Sequence, residues 1–269
     1  PEMATSFISI AAGATTAPLN PAYRAEEFDF YLSDLDARAL VILEGMESPA
    51  IAVAAARGIP LLRLKPGAIA GDFTLHDEGG HGSKTAPAER TGYAGENDIA
   101  LVLHTSGTTS RPKIVPLAQA NVCASARHIG ATLQLTPADI CLNIMPLFHI
   151  HGLIGAVLSS LGAGAAVCCT PGFNALKFFA WLDEVKPTWY TAVPTMHQAI
   201  LARGARNREI VARARLRLIR SSSSSMPPQV MTALEDLFGA PVIEAYGMTE
   251  AAHQMASNPL PPRARKPGF

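Results

Sequence analysis

The chain has 269 residues with 22 Lys plus Arg against 22 Asp plus Glu, a balance that argues against a nucleic-acid or anionic-membrane surface. Apolar residues make up 48%, which excludes a disordered chain and can fill one large core or two modest ones. Cys123, Cys141, Cys168 and Cys169 show no Cys-x-x-Cys spacing, and reduced thiols in a cytoplasmic protein account for them better than disulfides or a metal site.

The chain starts at Pro1 without an initiator Met or a signal peptide, and its small apolar segment from Phe7 to Ala12 reads as strand-like, so the N-terminus is expected to be incomplete. Pro18-Leu-Asn-Pro21 then turns the chain. Phe28, Tyr31, Leu32 and Leu35 recur at i, i+3, i+4, i+7 and predict an amphipathic helix over 25–36. Ala39 to Leu43 is a buried strand, Ser48-Pro49 a cap and first helical residue, Gly58 a helix stop, and Ile59 to Leu64 a second strand. Such a strand–helix–strand unit predicts a right-handed crossover onto a parallel sheet. Residues 66–97 lack periodicity and read as a long surface loop.

Ile99, Leu101, Val102 and Leu103 form a strand, followed by helix 118–133, strand 140–145, helix 152–161, strand 165–169 and helix 174–185. Strand 188–193, helix 194–203, strand 216–219, the serine run Ser221 to Ser225, helix 228–238 and strand 242–245 complete the series. Strands alternating with helices of this length call for doubly wound α/β layers. The serine run then becomes a connecting loop at a sheet edge, where open α/β sheets bind ligands. From Ile140 to Leu176 there is no Asp, Glu, Lys or Arg. Prolines and glycines split that stretch into apolar pieces shorter than the ~20 residues of a membrane span, so it belongs to a core.

Three stretches carry chemistry. The first is Leu101-Val-Leu-His-Thr-Ser-Gly-Thr-Thr-Ser-Arg-Pro-Lys113, where Thr105, Ser106, Thr108, Thr109 and Ser110 surround Gly107, and Arg111 and Lys113 follow. Hydroxyl and backbone donors converging at a strand tip, with cations beside them, suit a polyphosphate. The order is not a Walker A loop, because no second glycine precedes Lys113 and no hydroxyl follows it. In the second, Pro146-Leu-Phe-His149-Ile-His151-Gly152, no nearby Cys or carboxylate completes a zinc site around the two histidines. His151 is expected to satisfy buried backbone groups. In the third, Glu244-Ala-Tyr246-Gly-Met-Thr249-Glu250, a carboxylate near phosphates needs Mg²⁺ between them, which assigns Glu250 to the metal. Tyr246 offers a flat face to a purine and Thr249 a hydroxyl to a phosphate. His149, Ser223 and His253 add two imidazoles and a hydroxyl beside these stretches, groups that can hold a buried carboxylate.

In this order the three stretches resemble the signatures of the adenylate-forming superfamily: acyl-CoA synthetases, luciferases and peptide-synthetase adenylation domains. The Thr-Ser-Arg-Pro-Lys form, Pro18-Leu-Asn-Pro-Ala-Tyr23, Thr188-Trp-Tyr-Thr-Ala-Val-Pro-Thr195 and Ser257-Asn-Pro-Leu-Pro261 are similar to the oxalate–CoA ligase branch. The resemblance implies a layered αβαβα-type large N-terminal domain. Residues 1–269 would be a partial AMP-binding domain lacking both ends and the small C-terminal domain.

It further implies an ATP-dependent ligase that forms an acyl-adenylate from oxalate or a similar dicarboxylate and passes the acyl group to CoA. Mg²⁺ would be the metal and the small domain a partner in cis. Thr105, Ser106, Gly107, Thr108, Thr109, Ser110 and Lys113 would take the β- and γ-phosphates. Ser223, Ser224, Ser225, Glu244, Ala245, Tyr246 and Gly247 would surround the nucleotide base, and Thr249 the α-phosphate. Thr249, Glu250 and His149 would be catalytic, with His149, Ser223 and His253 on the acid. The location implied is cytoplasmic, or peroxisomal in a eukaryote, and residues 1–269 alone would turn over poorly. Amino-acid or fatty-acid adenylation, and a non-catalytic nucleotide-binding module, are the competing readings. An amino-acid site would want an Asp for the ammonium group, and none stands near His149 or His253.

Overall fold

A computed structural model describes residues 1–78, 92–105 and 112–268, and the chain divides into two compact units, Pro1–Ala94 and Gly95–Phe269. The first unit opens on helix α1 (Glu2–Ala11), not on a strand. Ala4, Phe7 and Ala11 fall at helical spacing and are buried together, which overrides the strand-like run of Phe7 to Ala12. Helix α2 (Ala25–Asp34) buries Phe28 and Leu32. Strands β1 (Leu40–Leu43) and β2 (Leu61–Pro66) pair in parallel through helix α3 (Pro49–Ala56). Ser48 caps α3, its Oγ accepting from Ala50 N at 3.2 Å. Within the expected loop 66–97 stands strand β3 (Phe73–Asp77), antiparallel to β2. Its short, mostly polar sequence makes no periodic signal, and the pairing to β2 supplies the order. Residues 79–91 of that loop lie outside the described residues.

The second unit holds a two-stranded hairpin and a six-stranded sheet. Strand β4 (Ile99–Thr105) pairs antiparallel with β5 (Lys113–Ala118), so the hydroxyl-rich tip joins two strands of a hairpin. Helix α4 (Gln119–Thr132) follows, then β6 (Ile140–Asn143), a π-helical segment (His151–Leu158) running into α5 (Ser159–Gly162), and β7 (Ala166–Cys169). Next come α6 (Phe178–Val185), β8 (Trp189–Ala192), α7 (Pro194–Gly204), α8 (Arg208–Arg213), β9 (Leu218–Ser222) and α9 (Pro228–Phe238). Strand β10 (Val242–Met248), a 3₁₀ turn (Thr249–Ala251) and β11 (His253–Ser257) close the series.

The sheet order is β11-β10-β9-β8-β6-β7, with β10 and β11 antiparallel and the other pairs parallel. The chain leaves β6 toward β7 on one side and leaves β8 toward β9 on the other. That reversal opens a crevice at the carboxyl ends of β6 and β8, the place where open α/β sheets bind ligands. One core packs Leu142, Tyr190, Ile219 and Val242 of the sheet against Phe178, Leu234 and Phe238 of the helices. Each fully buried side chain of this size contributes about 1.5–3 kcal/mol. Outside that core, Asp139 is buried and receives Arg217 Nε at 3.1 Å, Arg217 Nη2 at 3.0 Å and Thr188 Oγ1 at 2.7 Å. Burial works to raise its pKa, but these bonds outweigh it and the carboxyl stays below its ordinary value.

Among the described residues no helix is long and apolar enough to cross a membrane, and the uncharged stretch 140–176 is sheet, π-helix and core as expected. Ser221 and Ser222 are corrected from loop to strand: β9 runs through them, and both are buried. Arg220 hides this extension, because a charge ends the apolar run after Ile219.

Candidate functional site

The end of β4 and the acidic turn meet. Thr105 ends β4 opposite Lys113, and Thr105 Oγ1 donates to Glu250 Oε1 at 3.3 Å. Ser106, Gly107, Thr108, Thr109, Ser110 and Arg111 lie outside the described residues. Glu250 is exposed in the 3₁₀ turn, and Thr249 is the first residue of that turn, with no side-chain cap. Strand β10 does not stop at Ala245 but carries Tyr246, Gly247 and Met248 onward as the partner of β11, with a bulge between Tyr246 and Gly247. A Cβ on Gly247 would lie 1.6 Å from His253 O, so only glycine fits this approach of two main chains.

Register delivers the other expected nucleotide contacts to the same sheet end. Ser222 pairs with Ala245, so exposed Ser223, Ser224 and Ser225 leave β9 beside Tyr246, which is itself 60% exposed. Glu244 and Ala245 differ from these: both side chains are buried. Glu244 Oε2 accepts from Gly268 N at 2.9 Å, and its main-chain oxygen accepts from Asn258 N at 2.9 Å. These bonds tie Glu244 to the chain that follows β11.

The residues expected on the acid lie close to one another: His151 joins His149, Ser223 and His253. His149 is exposed at the end of the β6 connection, and its Nδ1 accepts from His151 N at 3.2 Å. His151 is fully buried and is not spent on backbone groups as expected. Its Nδ1 lies 3.0 Å from Ser223 Oγ and its Nε2 lies 2.6 Å from Thr191 Oγ1 and 3.2 Å from Arg220 Nη1. His253 is buried and stacks on His151 with ring centroids 4.9 Å apart. Gly155 permits that stack, since a Cβ there would meet His253 Nε2 at 2.8 Å. Helix α4 steadies the other side, with Ser125 Oγ donating to Ala252 O at 2.5 Å and Thr132 Oγ1 accepting from Gln254 Nε2 at 3.3 Å.

Arg220, Thr191 and Gln254 are the residues that sequence reasoning missed. Thr191 and Arg220 are direct neighbours across β8 and β9, facing the π-helical segment with Asn143 in the same cross-strand row. The partners of Arg220 stand 69 and 33 residues away in the chain, so no local pattern announces them.

Among the described residues no group of three His, Cys, Asp or Glu could hold a metal ion, and the His149/His151 pair is occupied as above. Glu250 is a different case. One exposed carboxylate is a donor of the kind Mg²⁺ takes when phosphate oxygens and waters complete its shell.

Burial first, and then the positive charge of Arg220, push the pKa of His151 and of His253 well below the ordinary histidine value. Burial also lowers His197, to about 4. These groups are neutral when folded and bind protons when unfolded, so stability is full above the unfolded value of about 6.5 and drains away as pH falls toward the folded values. The urea midpoint is therefore expected to drop between about pH 7.5 and about pH 5. His197→Gln should flatten part of that slope, and an unchanged midpoint would contradict the buried neutral imidazoles.

The family of AMP-binding enzymes has a model that matches residues 1–269. Oxalate–CoA ligase of Arabidopsis thaliana is 46% identical over 262 residues, covering 96% of this chain and 50% of the relative. Oxalate–CoA ligase of Saccharomyces cerevisiae is 37% identical over 286 residues, covering 97% of this chain and 52% of the relative. The crystal structure of ATP-bound MatB from Rhodopseudomonas palustris superposes with a TM-score of 0.78 at 26% identity, over 98% of this chain and 51% of that one. The chain spans about half the length of the curated relatives it matches. With the α/β layers, Thr105 against Glu250 and the match over residues 1–269, the chain belongs to the AMP-binding enzyme family.

Proposed function

We propose that the protein containing this chain is an AMP-forming acid–CoA ligase whose acid is short and carries a second carboxylate, with oxalate the first candidate. The observation that supports it most is the 3.3 Å hydrogen bond from Thr105 to Glu250, which joins the hydroxyl-rich tip to the acidic turn. The names of the relatives support the choice of acid.

In the first step a carboxylate oxygen of the acid attacks the α-phosphorus of ATP. The bond to the bridging oxygen breaks, and pyrophosphate leaves with the electron pair. In the second step the thiol of CoA attacks the acyl carbon and AMP departs. The chain's own task is to position and neutralise. Thr105, Ser106, Gly107, Thr108, Thr109, Ser110 and Lys113 hold the β- and γ-phosphates. Tyr246 stacks on adenine beside Ser223, Ser224, Ser225 and Gly247, with Glu244 and Ala245 shaping the strand beneath. Thr249 donates to the α-phosphate. His149 stands at the pocket mouth, and Ser223 and His253 hold the second carboxylate. Mg²⁺ held by Glu250, when bound, supplies charge neutralisation across the phosphates.

An amino-acid substrate fits less well, because buried Arg220 would repel its ammonium group. A fatty acid fits less well because His151, Thr191, Arg220 and His253 make the crevice polar. Residues 1–269 are taken as part of the AMP-binding domain, with the relatives' remaining half supplying a small domain in cis. Four free thiols support a reducing, cytoplasmic setting, or a peroxisomal one in a eukaryotic cell.

The test is product analysis on the intact protein with ATP, Mg²⁺, CoA and oxalate, malonate, acetate or amino acids. Oxalate is expected to give its CoA ester and AMP. His253→Ala should lower kcat/KM for oxalate by about 10- to 100-fold, the loss of hydrogen bonds to a charged group. An amino acid used in preference to every dicarboxylate, or unchanged oxalate use by His253→Ala, would overturn the reading.

A further inference from the structure

A buried guanidinium needs a counter-anion or a full set of acceptors, and Arg220 has neither. It is fully buried, Nε has no partner, and no carboxylate among the described residues pairs with it. Burial lowers its pKa only to about 10, so the cation persists at neutral pH. Its two terminal nitrogens face imidazoles. Nη1 lies 3.2 Å from His151 Nε2, and Nη2 lies 3.2 Å from His253 Nε2 and 3.0 Å from Gln254 Oε1.

A guanidinium has donors and no acceptor. Both Nε2 atoms then present a lone pair, and both neutral rings carry their proton on Nδ1. Thr191 Oγ1 accepts from Arg220 Nη1 at 3.5 Å and donates its own hydrogen to His151 Nε2 at 2.6 Å. His151 Nδ1–H then donates to Ser223 Oγ at 3.0 Å, which leaves the hydroxyl hydrogen of exposed Ser223 to an outside acceptor. His253 Nδ1–H has no acceptor among the described residues. Backbone strain gathers at the same point: Ser223, Ala252 and His253 all have positive φ, at 71°, 52° and 95°. Such conformations are disfavoured for residues with a side chain and persist only where the surrounding structure over-determines them, as at ligand-binding sites.

We propose that Arg220 is the specificity-determining residue for the acid: one uncompensated buried cation that fixes His151 and His253 as Nδ1–H tautomers, so that Ser223 O–H and His253 Nδ1–H point donors at a second carboxylate. The inference rests on the acid–CoA ligase reading and deepens it. Arg220 acts here through the two rings, as a positioning residue that also sets the sign of the pocket. A monocarboxylic acid leaves that charge unmatched; a dicarboxylate neutralises it.

The experiment has two arms on the intact protein. Nitrogen NMR of ¹⁵N-histidine-labelled wild type reads the tautomers, and both His151 and His253 are expected to show an unprotonated Nε2. A protonated Nε2 on either ring in the wild type overturns the proposal whatever the activity. The second arm measures acid-dependent ATP–pyrophosphate exchange. Arg220→Met is expected to lower kcat/KM for oxalate by about 100-fold and to leave acetate within about 3-fold, collapsing the ratio between them. Arg220→Lys, which keeps charge and donors, should keep the tautomers and recover part of the ratio, and it serves where Arg220→Met does not fold. A wild type that exchanges with oxalate, beside variants with the same oxalate-to-acetate ratio, overturns the role of Arg220 alone. A wild type that exchanges with no acid overturns the ligase reading and the substrate half of this proposal with it.

Discussion

Gly247→Ala is expected to abolish ligase activity and to destabilise the second unit. The added Cβ would stand 1.6 Å from the carbonyl oxygen of His253, well inside contact distance of a main-chain atom that cannot rotate away. Ordinary overpacking costs about 1–3 kcal/mol when side chains can adjust. Here β10 or β11 must move as a whole, so the loss should exceed that range. Activity should suffer more than stability, because this bulge sets both neighbours of the site: Tyr246 on one side, and the 3₁₀ turn with Glu250 on the other. A displacement of about 1 Å at a reacting site can cost about 100-fold in rate. Urea denaturation and kcat/KM measured on the same preparation separate the two effects. Wild-type kinetics with alanine at this position would mean that the β10–β11 crossing does not position the site.

The second large effect is expected at Glu250. Its carboxylate is exposed, so Glu250→Ala should leave circular dichroism and the urea midpoint close to wild type. Adenylate formation should nevertheless fall by at least about 100-fold, since a correctly held metal supplies several kcal/mol of charge stabilisation at about 1.4 kcal/mol per tenfold in rate. Glu250→Asp should show a raised Mg²⁺ requirement, visible when exchange is measured against Mg²⁺ concentration. Thr105→Val removes the other end of the 3.3 Å contact and should cost less, because neighbouring donors remain. An alanine variant with unchanged rate and metal dependence would remove Glu250 from the metal.

The contrast between what was legible and what was hidden has a physical basis. Helix α9 could be read to its ends because Pro228 starts it and Met231, Leu234 and Phe238 line one face. The parallel strands β6 and β8 could be read because burial on both faces turns them into apolar runs, and the edge strand β7 because Ala-Val-Cys-Cys is apolar although only partly buried. Strands β3, β5 and β11 could not, since each is ordered by antiparallel pairing to a neighbour, and exposed Leu75, Ile114 and Met255 blur the apolar-in, polar-out alternation that would mark a strand. Short α8 has no buried side chain and so no stripe to detect.

The site divides along the same line. The tip, the acidic turn and His149 stand on contiguous motifs, and Ser223 and His253 follow from their positions beside them. Arg220 and Thr191 sit within buried strands, where a charge or hydroxyl reads as an interruption of the apolar pattern and not as a functional group. Their role depends on cross-strand neighbours and on rings brought in by the π-helical segment and by β11. That His151 bonds to side chains and not to backbone groups was hidden for the same reason, because those partners are all distant in sequence.

ATP–pyrophosphate exchange by the intact protein, run without CoA, tests the central claim most directly because it isolates the first half-reaction. Labelled pyrophosphate is expected to enter ATP only when oxalate or a comparable short dicarboxylate is present, and Glu250→Ala should suppress it. Release of ADP and phosphate in place of exchange, or no exchange with any carboxylic acid, would contradict the account.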